Sequence, residues 1–184
     1  MIITITGKPC TGKSTMAEIF AKKYNFERIY AGSIFKAVAK DLGIDILELT
    51  ASDKILEVDK KVDEELESIY KNRKNENLII ESRTSWSFMP KAFNVFIDVK
   101  DDVMAERLFN SDRGESERGA NIEEAKNKVM GRYNNDVKRY KMLYNIDCDN
   151  LSNYTFVIDN SNLTAEETAD RVYEEYLNFL KKDK

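Results

Sequence analysis

The stretch Ile2-Ile3-Thr4-Ile5-Thr6-Gly7-Lys8-Pro9-Cys10-Thr11-Gly12-Lys13-Ser14 decides how the rest of this chain is read. Its first half is β-branched throughout and stops at a glycine, the pattern of a strand buried on both faces. Its second half, Gly7 to Ser14, fits GxxxxGK[ST] with no mismatch. Such a loop suits a polyphosphate, because backbone N–H groups do the cradling and glycines let the chain curl tightly enough to aim them inward. Lys13 would reach the terminal phosphates and Ser14 would ligate Mg²⁺. Met16, Ile19 and Phe20 then recur at helical spacing between Ser14 and Tyr24, so the motif opens a helix whose N-terminus faces the anion. Gly7, Lys8, Pro9, Cys10, Thr11, Gly12, Lys13, Ser14 and Thr15 are therefore the expected nucleotide-binding set. Cys10 is read as a small filler of the loop, with a reactive thiol beside Lys13 as the alternative.

Working outward, short apolar runs at 27–31, 77–81, 94–98 and 154–158 read as four more strands, each bounded by polar residues. Between them lie helical patterns at 33–42, closed by Gly43, and at 53–72, where Val58, Val62, Leu66 and Tyr70 recur every four residues. Asp101 to Phe109 is a further helix, and residues 110–120 have no apolar period and read as a loop. A long helix starts at Asn121, with Glu124 as its capping partner. Thr164 and Glu167 form a capping box for the last helix. Alternating strands and helices predict an α/β domain with a parallel sheet covered on both faces. Two segments, about 32–75 and about 110–150, exceed simple crossovers and are read as mobile, substrate-covering pieces.

Composition removes several chemistries. The 184 residues contain no histidine, which excludes a histidine general base, a Ser-His-Asp triad and a His-ligated zinc. Two cysteines, Cys10 and Cys148, make neither a four-cysteine zinc site nor a CxxC pair. A net charge of −4 disfavours nucleic-acid or membrane-surface partners. The N-terminus lacks the charged region and long apolar core of a signal peptide, and no stretch approaches a membrane span, so a monomeric cytoplasmic protein is expected.

Phosphoryl transfer needs cations around the transferring group more than it needs a base. Arg107, Arg113 and Arg118 lie at or near the 110–120 loop, and Arg132 and Arg139 are seven apart on one helical face. Glu81 ends the third strand, at the edge where ligands sit in open α/β sheets, and would hold Mg²⁺ through water. Arg83 follows it, placed to meet an acceptor phosphate. No NKxD or DxxG motif of a GTPase occurs.

Four stretches together resemble the archaeal-type cytidylate kinases, a branch of the nucleoside monophosphate (NMP) kinases, over about residues 1–170. They are the loop at 7–15, Ala31-Gly32-Ser33-Ile34-Phe35-Lys36, Ile80-Glu81-Ser82-Arg83-Thr84-Ser85-Trp86, and Lys138-Arg139-Tyr140-Lys141 followed by Tyr144-Asn145-Ile146-Asp147. The resemblance implies a three-layer P-loop NTPase fold with a five-stranded parallel sheet. The core would be 1–31, 76–109 and 151–184, with an NMP-binding insertion at about 32–75 and a helical lid at about 110–150. It implies transfer of the ATP γ-phosphoryl to CMP or dCMP with Mg²⁺. Lys13, Arg83, Arg132 and Arg139 would be catalytic, Arg107 would contact ATP, and Ser33, Lys36, Arg83 and Trp86 would bind the acceptor. Two positions depart from the family pattern: Lys36 stands where an arginine is usual, losing the bidentate fork, and Val137 replaces a lid arginine and is expected to face the core. The residues themselves leave open another acceptor (AMP, UMP or a non-nucleotide) and a non-catalytic nucleotide-binding regulator.

Overall fold

The computed structural model describes residues 1–44, 54–112, 114 and 118–182. Five parallel strands form one sheet: β1 (Ile2–Gly7), β2 (Glu27–Tyr30), β3 (Leu78–Glu81), β4 (Phe93–Asp98) and β5 (Phe156–Asp159). Their spatial order is β2-β3-β1-β4-β5. Seven α-helices lie among the described residues: α1 (Lys13–Tyr24), α2 (Ala31–Asp41), α3 (Lys54–Asn72), α4 (Ser85–Phe88), α5 (Asp101–Phe109), α6 (Ile122–Tyr144) and α7 (Ala165–Lys182).

The period of two along the strands divides the core between the faces of the sheet. Ile3, Ile5, Ile79, Val95 and Ile97 face one way and meet Met16 and Phe20 of α1 and Val172 and Tyr176 of α7. Phe20 is fully buried, with the rings of Tyr24, Phe26 and Tyr173 5.0, 5.1 and 5.9 Å away. Ile2, Leu78 and Ile80 face the other way and meet Ala39 of α2 and Val58, Val62 and Leu66 of α3. Each such Val, Leu, Ile, Met or Phe side chain contributes about 1.5–3 kcal/mol by leaving water. Thr4, buried in β1, donates from its hydroxyl to Asn94 Oδ1 at 2.6 Å, so this polar group in the core is satisfied. A third apolar cluster joins Met104 and Leu108 of α5 to Ala125 and Val129 of α6.

The helix starts follow their predicted chemistry. Thr164 Oγ1 accepts from the Glu167 N–H at 3.1 Å while Glu167 Oε2 accepts from the Thr164 N–H at 2.8 Å. At α6 the Asn121 side chain accepts from the Glu124 N–H at 2.9 Å, but Glu124 reaches back one residue further, to the Ala120 N–H. Other boundaries differ from expectation. Helix α2 begins at Ala31 rather than Ser33: the Ser33 hydroxyl donates to the Tyr30 carbonyl at 2.6 Å and closes the first turn early. Strand β5 starts at Phe156 rather than 154. Tyr154 instead ends a 3₁₀ turn (Leu151–Asn153), and its ring packs on Phe96 and Trp86. The short helix α4 has no counterpart in the sequence reading. Residues 45–53, where the 53–72 helix was expected to start, and Arg113 with residues 115–117 of the loop lie outside the described residues.

Strand order reverses at β1, between β3 and β4. The crevice beyond the carboxyl ends of these three strands is where an open α/β sheet binds its ligand.

Candidate active site

The loop leaving β1 is shaped by its neighbours. Gly7 passes so close to β4 that a Cβ there would lie 2.1 Å from the Ile97 carbonyl oxygen, so no other residue fits. Cys10 adopts φ 56°, a left-handed value that costs a non-glycine residue about 1–2 kcal/mol, and its side chain packs against the cluster formed by α5 and α6. Three braces hold the loop in that shape. The Lys8 ammonium lies 3.0 Å from Asp98 and 3.4 Å from Asp101. Burial lowers the pKa of Lys8, but the two carboxylates outweigh it and leave the group above its ordinary value. The Thr11 carbonyl accepts from Asn160 Nδ2 at 2.6 Å and from Arg107 at 3.4 Å, while Arg107 also donates to the Asn160 carbonyl at 2.9 Å. Arg107, expected at the nucleotide, ties the residue after β5 to the loop.

Helix α1 opens without a side-chain cap and with no acid in its first turn, so its free N–H groups and positive dipole end remain available to an anion. Lys13 bends back into the loop and donates to the Lys8 carbonyl and, at 3.2 Å, to Thr11 Oγ1. Its pKa is pushed down to about 7. Burial is the largest cause, Arg83 adds to it, Glu81 opposes it, and Arg132 adds a smaller push. These interactions place Lys13, Arg83, Arg132 and Glu81 in one electrostatic neighbourhood although they come from four separate segments.

Glu81, 6% exposed, accepts from the Ser14 hydroxyl on Oε1 at 2.5 Å and from Arg28 on Oε2 at 2.7 Å. One hydroxyl beside one carboxylate is the kind of protein donor set that suits Mg²⁺, which keeps waters and takes its remaining oxygens from substrate phosphates. Among the described residues no group of three or more acidic or cysteine side chains could hold a metal by itself.

Above the loop, a chain of ions joins α6 to α3 and to the end of β3. Arg83 pairs with Asp136, which also lies 3.0 Å from Arg139. Arg139 in turn reaches Asp59 of α3 at 2.7 Å and covers the Tyr140 ring at 4.9 Å. Asp59 is 7% exposed, and burial raises its pKa against the opposing effect of Arg139. Asp63, one turn further along α3, accepts from the Thr84 hydroxyl at 2.6 Å. A narrow cleft under this chain is lined by Gly7, Arg83, Phe96, Tyr133, Val137 and Cys148 among others. Val137, half-buried, lines this cleft beside Tyr133 and Tyr140 of the same α6 edge, both of which are buried. Burial pushes the Cys148 thiol up to about 12, so it is an inert wall residue.

The structure gathers Lys13, Ser14, Glu81, Arg83 and Arg132, and couples Arg139 to Arg83 through Asp136. Ser33 and Lys36 are exposed on α2 and make no ion pair with that group among the described residues. Trp86 donates its indole N–H to the Arg83 carbonyl at 3.1 Å and packs on Tyr154, bracing Arg83 from behind. The sequence reading missed Arg28, Asp59, Asp63, Asp136 and Asn160. Asp136 was findable, since it lies four after Arg132 and three before Arg139, within helical reach of both. Arg28 carried no such signal, because its partner is 53 positions away.

Known proteins resemble this chain in sequence and in fold. A family model described as an AAA domain matches residues 3–131. The cytidylate kinase of Methanocaldococcus jannaschii is 35% identical over 90% of this chain and 92% of its own length. That of Sulfurisphaera tokodaii is 33% identical over 98% and 97%. The chain belongs to the cytidylate kinase family. Solved structures extend the likeness in fold alone. A shikimate kinase from Bacteroides thetaiotaomicron superposes with a TM-score of 0.65 at 16% identity, covering 98% of each chain. One from Acinetobacter baumannii gives 0.62 at 14%, covering 96% of this chain and 93% of that one. The fold is thus the P-loop NTPase fold expected from the sequence. Among the described residues no helix is long and apolar enough to cross a membrane.

Proposed function

We propose that the protein transfers the γ-phosphoryl of ATP to CMP or dCMP. The observation that carries this reading is the meeting of cations from three segments, Lys13, Arg83 and Arg132, beside the uncapped start of α1 and the Ser14–Glu81 pair. In-line transfer needs two nucleotides held in near-attack geometry and cations on the moving group, with no strong base. Lys13 stabilises the transferring phosphoryl, the N–H groups from Gly7 to Thr15 cradle the donor, and Arg83 and Arg139 grip the acceptor phosphate. Ser14 and Glu81 would hold Mg²⁺, which would supply charge neutralisation across the donor phosphates.

Arg83 and Arg139 are paired with Asp136 and Asp59. An entering phosphate therefore exchanges carboxylate partners for phosphate oxygens and does not meet bare guanidiniums. That exchange couples acceptor binding to movement of α6 against α3. The segments at about 32–75 and about 110–150 act as the acceptor-binding insertion and the lid, and the protein works as a monomer. Lys36 keeps a positive charge on the acceptor side, and Val137 leaves a lid contact to Arg132 and Arg139 alone.

The test is ADP production from ATP and Mg²⁺ against CMP, dCMP, UMP, AMP and GMP with a no-acceptor blank. Turnover dependent on CMP or dCMP is the expected result. Release no faster than the blank for every acceptor, with ATP still bound, overturns the transfer and leaves a nucleotide-binding regulator.

A further inference from the structure

Arg28 has no part in the reaction proposed for this site, yet it is the cation that pairs with the metal-side carboxylate. It stands in β2 opposite Ile79 of β3 and reaches along the sheet to Glu81 Oε2 at 2.7 Å. The side chain is fixed from below as well: its guanidinium carbon lies 5.1 Å from the Tyr30 ring centroid, and that ring covers Gly32, where a Cβ would be 2.4 Å from it. Arg28 and Glu81 side chains are 24% and 7% exposed, so the pair is only weakly screened by water. The Arg28 Nε is buried and has no hydrogen-bond partner. A guanidinium kept there at the cost of an unmet donor is held by Glu81 and by stacking.

The charge balance follows from these contacts. Glu81 has one oxygen on Ser14 and the other on Arg28, so its single negative charge is already matched. A divalent cation arriving alone at Ser14 would find a neutralised carboxylate and the repulsion of Arg28 close behind it, with Lys13 nearby. A cation arriving on a polyphosphate brings its own negative charge and oxygen ligands.

We propose that Arg28 is a positioning residue that neutralises Glu81 in the nucleotide-free protein and aims its other oxygen at Ser14, so that the divalent cation is admitted with the nucleotide and not before it. This rests on the assignment of Ser14 and Glu81 to the metal. A purely structural Arg28 would alter folding stability without altering metal affinity, which gives the test its readout.

Mn²⁺ titrations followed by electron paramagnetic resonance, on the full chain without nucleotide, compare the wild type with Arg28→Met, Arg28→Lys and the double variant Arg28→Met/Glu81→Gln. Arg28→Met should bind free Mn²⁺ at least about tenfold more tightly, since a like charge within a few ångströms of the cation is removed. Arg28→Lys, which keeps the charge, should bind as weakly as the wild type, and the double variant should return to weak binding. Arg28→Gln carries the same comparison should Arg28→Met fail to fold by circular dichroism. Equal Mn²⁺ affinity in Arg28→Met (or Arg28→Gln) and wild type overturns the proposal. A parallel titration of Mn²⁺–ATP separates the two readings. Dependence of that binding on Ser14 and Glu81, with free Mn²⁺ unaffected by Arg28, removes the role of Arg28 alone. Mn²⁺–ATP affinity unchanged by Ser14→Ala and Glu81→Gln removes the metal assignment and the role of Arg28 with it.

Discussion

Desolvation first, and Arg83 second, push the Lys13 pKa down to about 7 in the nucleotide-free protein. A bound polyphosphate replaces those surroundings with several negative charges and restores the ammonium to its ordinary range. Nucleotide binding must then take up a proton wherever the free lysine is deprotonated. At pH 8 a group titrating at about 7 is deprotonated in about nine molecules of ten, so binding should take up about 0.9 proton. At that pH the terminal phosphate, with a second pKa of about 6, is already ionised and contributes little. Affinity should fall about fifty-fold between pH 7 and pH 9, approaching tenfold per unit at the upper end. The assay is isothermal titration calorimetry of Mg²⁺–ATP without acceptor, at pH 8, in two buffers of different ionisation enthalpy. The difference in heat gives the proton count. Lys13→Met should remove the uptake and flatten the pH dependence. Uptake below about 0.3 proton in the wild type, or the same uptake in Lys13→Met, would refute the electrostatic account of this lysine. Stability carries the same signature. Between pH 7 and the ordinary lysine value the unfolded chain holds more protons than the folded one, so this group makes the wild type more stable as pH rises through that window. Lys13→Met should lack that slope.

Three further outcomes follow from particular contacts. Lys13→Ala should abolish turnover, and activity within about tenfold of wild type would remove its assigned role. Arg139→Ala strands Asp59 in the α3–α6 interface and should cost about 3 kcal/mol in urea unfolding, most of it recovered in Arg139→Ala/Asp59→Asn; simple additivity of the two single changes would show that the pair is not the link. Phe20→Ala empties a fully buried site among three rings and should cost about 3–5 kcal/mol, with catalytic constants unchanged in the protein that remains folded.

Much of the fold was legible because its signals are local. The β-branched run at 2–6, the two capping pairs and the four-residue apolar line of α3 each lie within a few residues of one another. The parts that were not legible share a cause. Tyr154 looked like strand because it is aromatic and follows the strand pattern. Its place was set instead by Phe96 and Trp86, which are distant in sequence. Val137 lies one turn from Tyr133, and the narrow cleft the two share was not legible either. That cleft depends on how α6 sits against the strand ends, which helical spacing cannot supply.

By itself the sequence determined the phosphate loop, the parallel α/β plan and the family, since these rest on a contiguous motif and on hydrophobic periods that any chain with those residues must satisfy. It also named most of the cations. What those cations do was decided by tertiary structure alone. Arg107 braces Asn160 and the loop, Arg139 holds Asp59, Arg83 holds Asp136, and Arg28 holds Glu81. An unpaired charge buried in a low-dielectric interior is too costly to persist, so each cation takes the carboxylate or carbonyl that the fold brings within reach. That choice depends on distances between segments tens of residues apart, and only the packed sheet and helices set them.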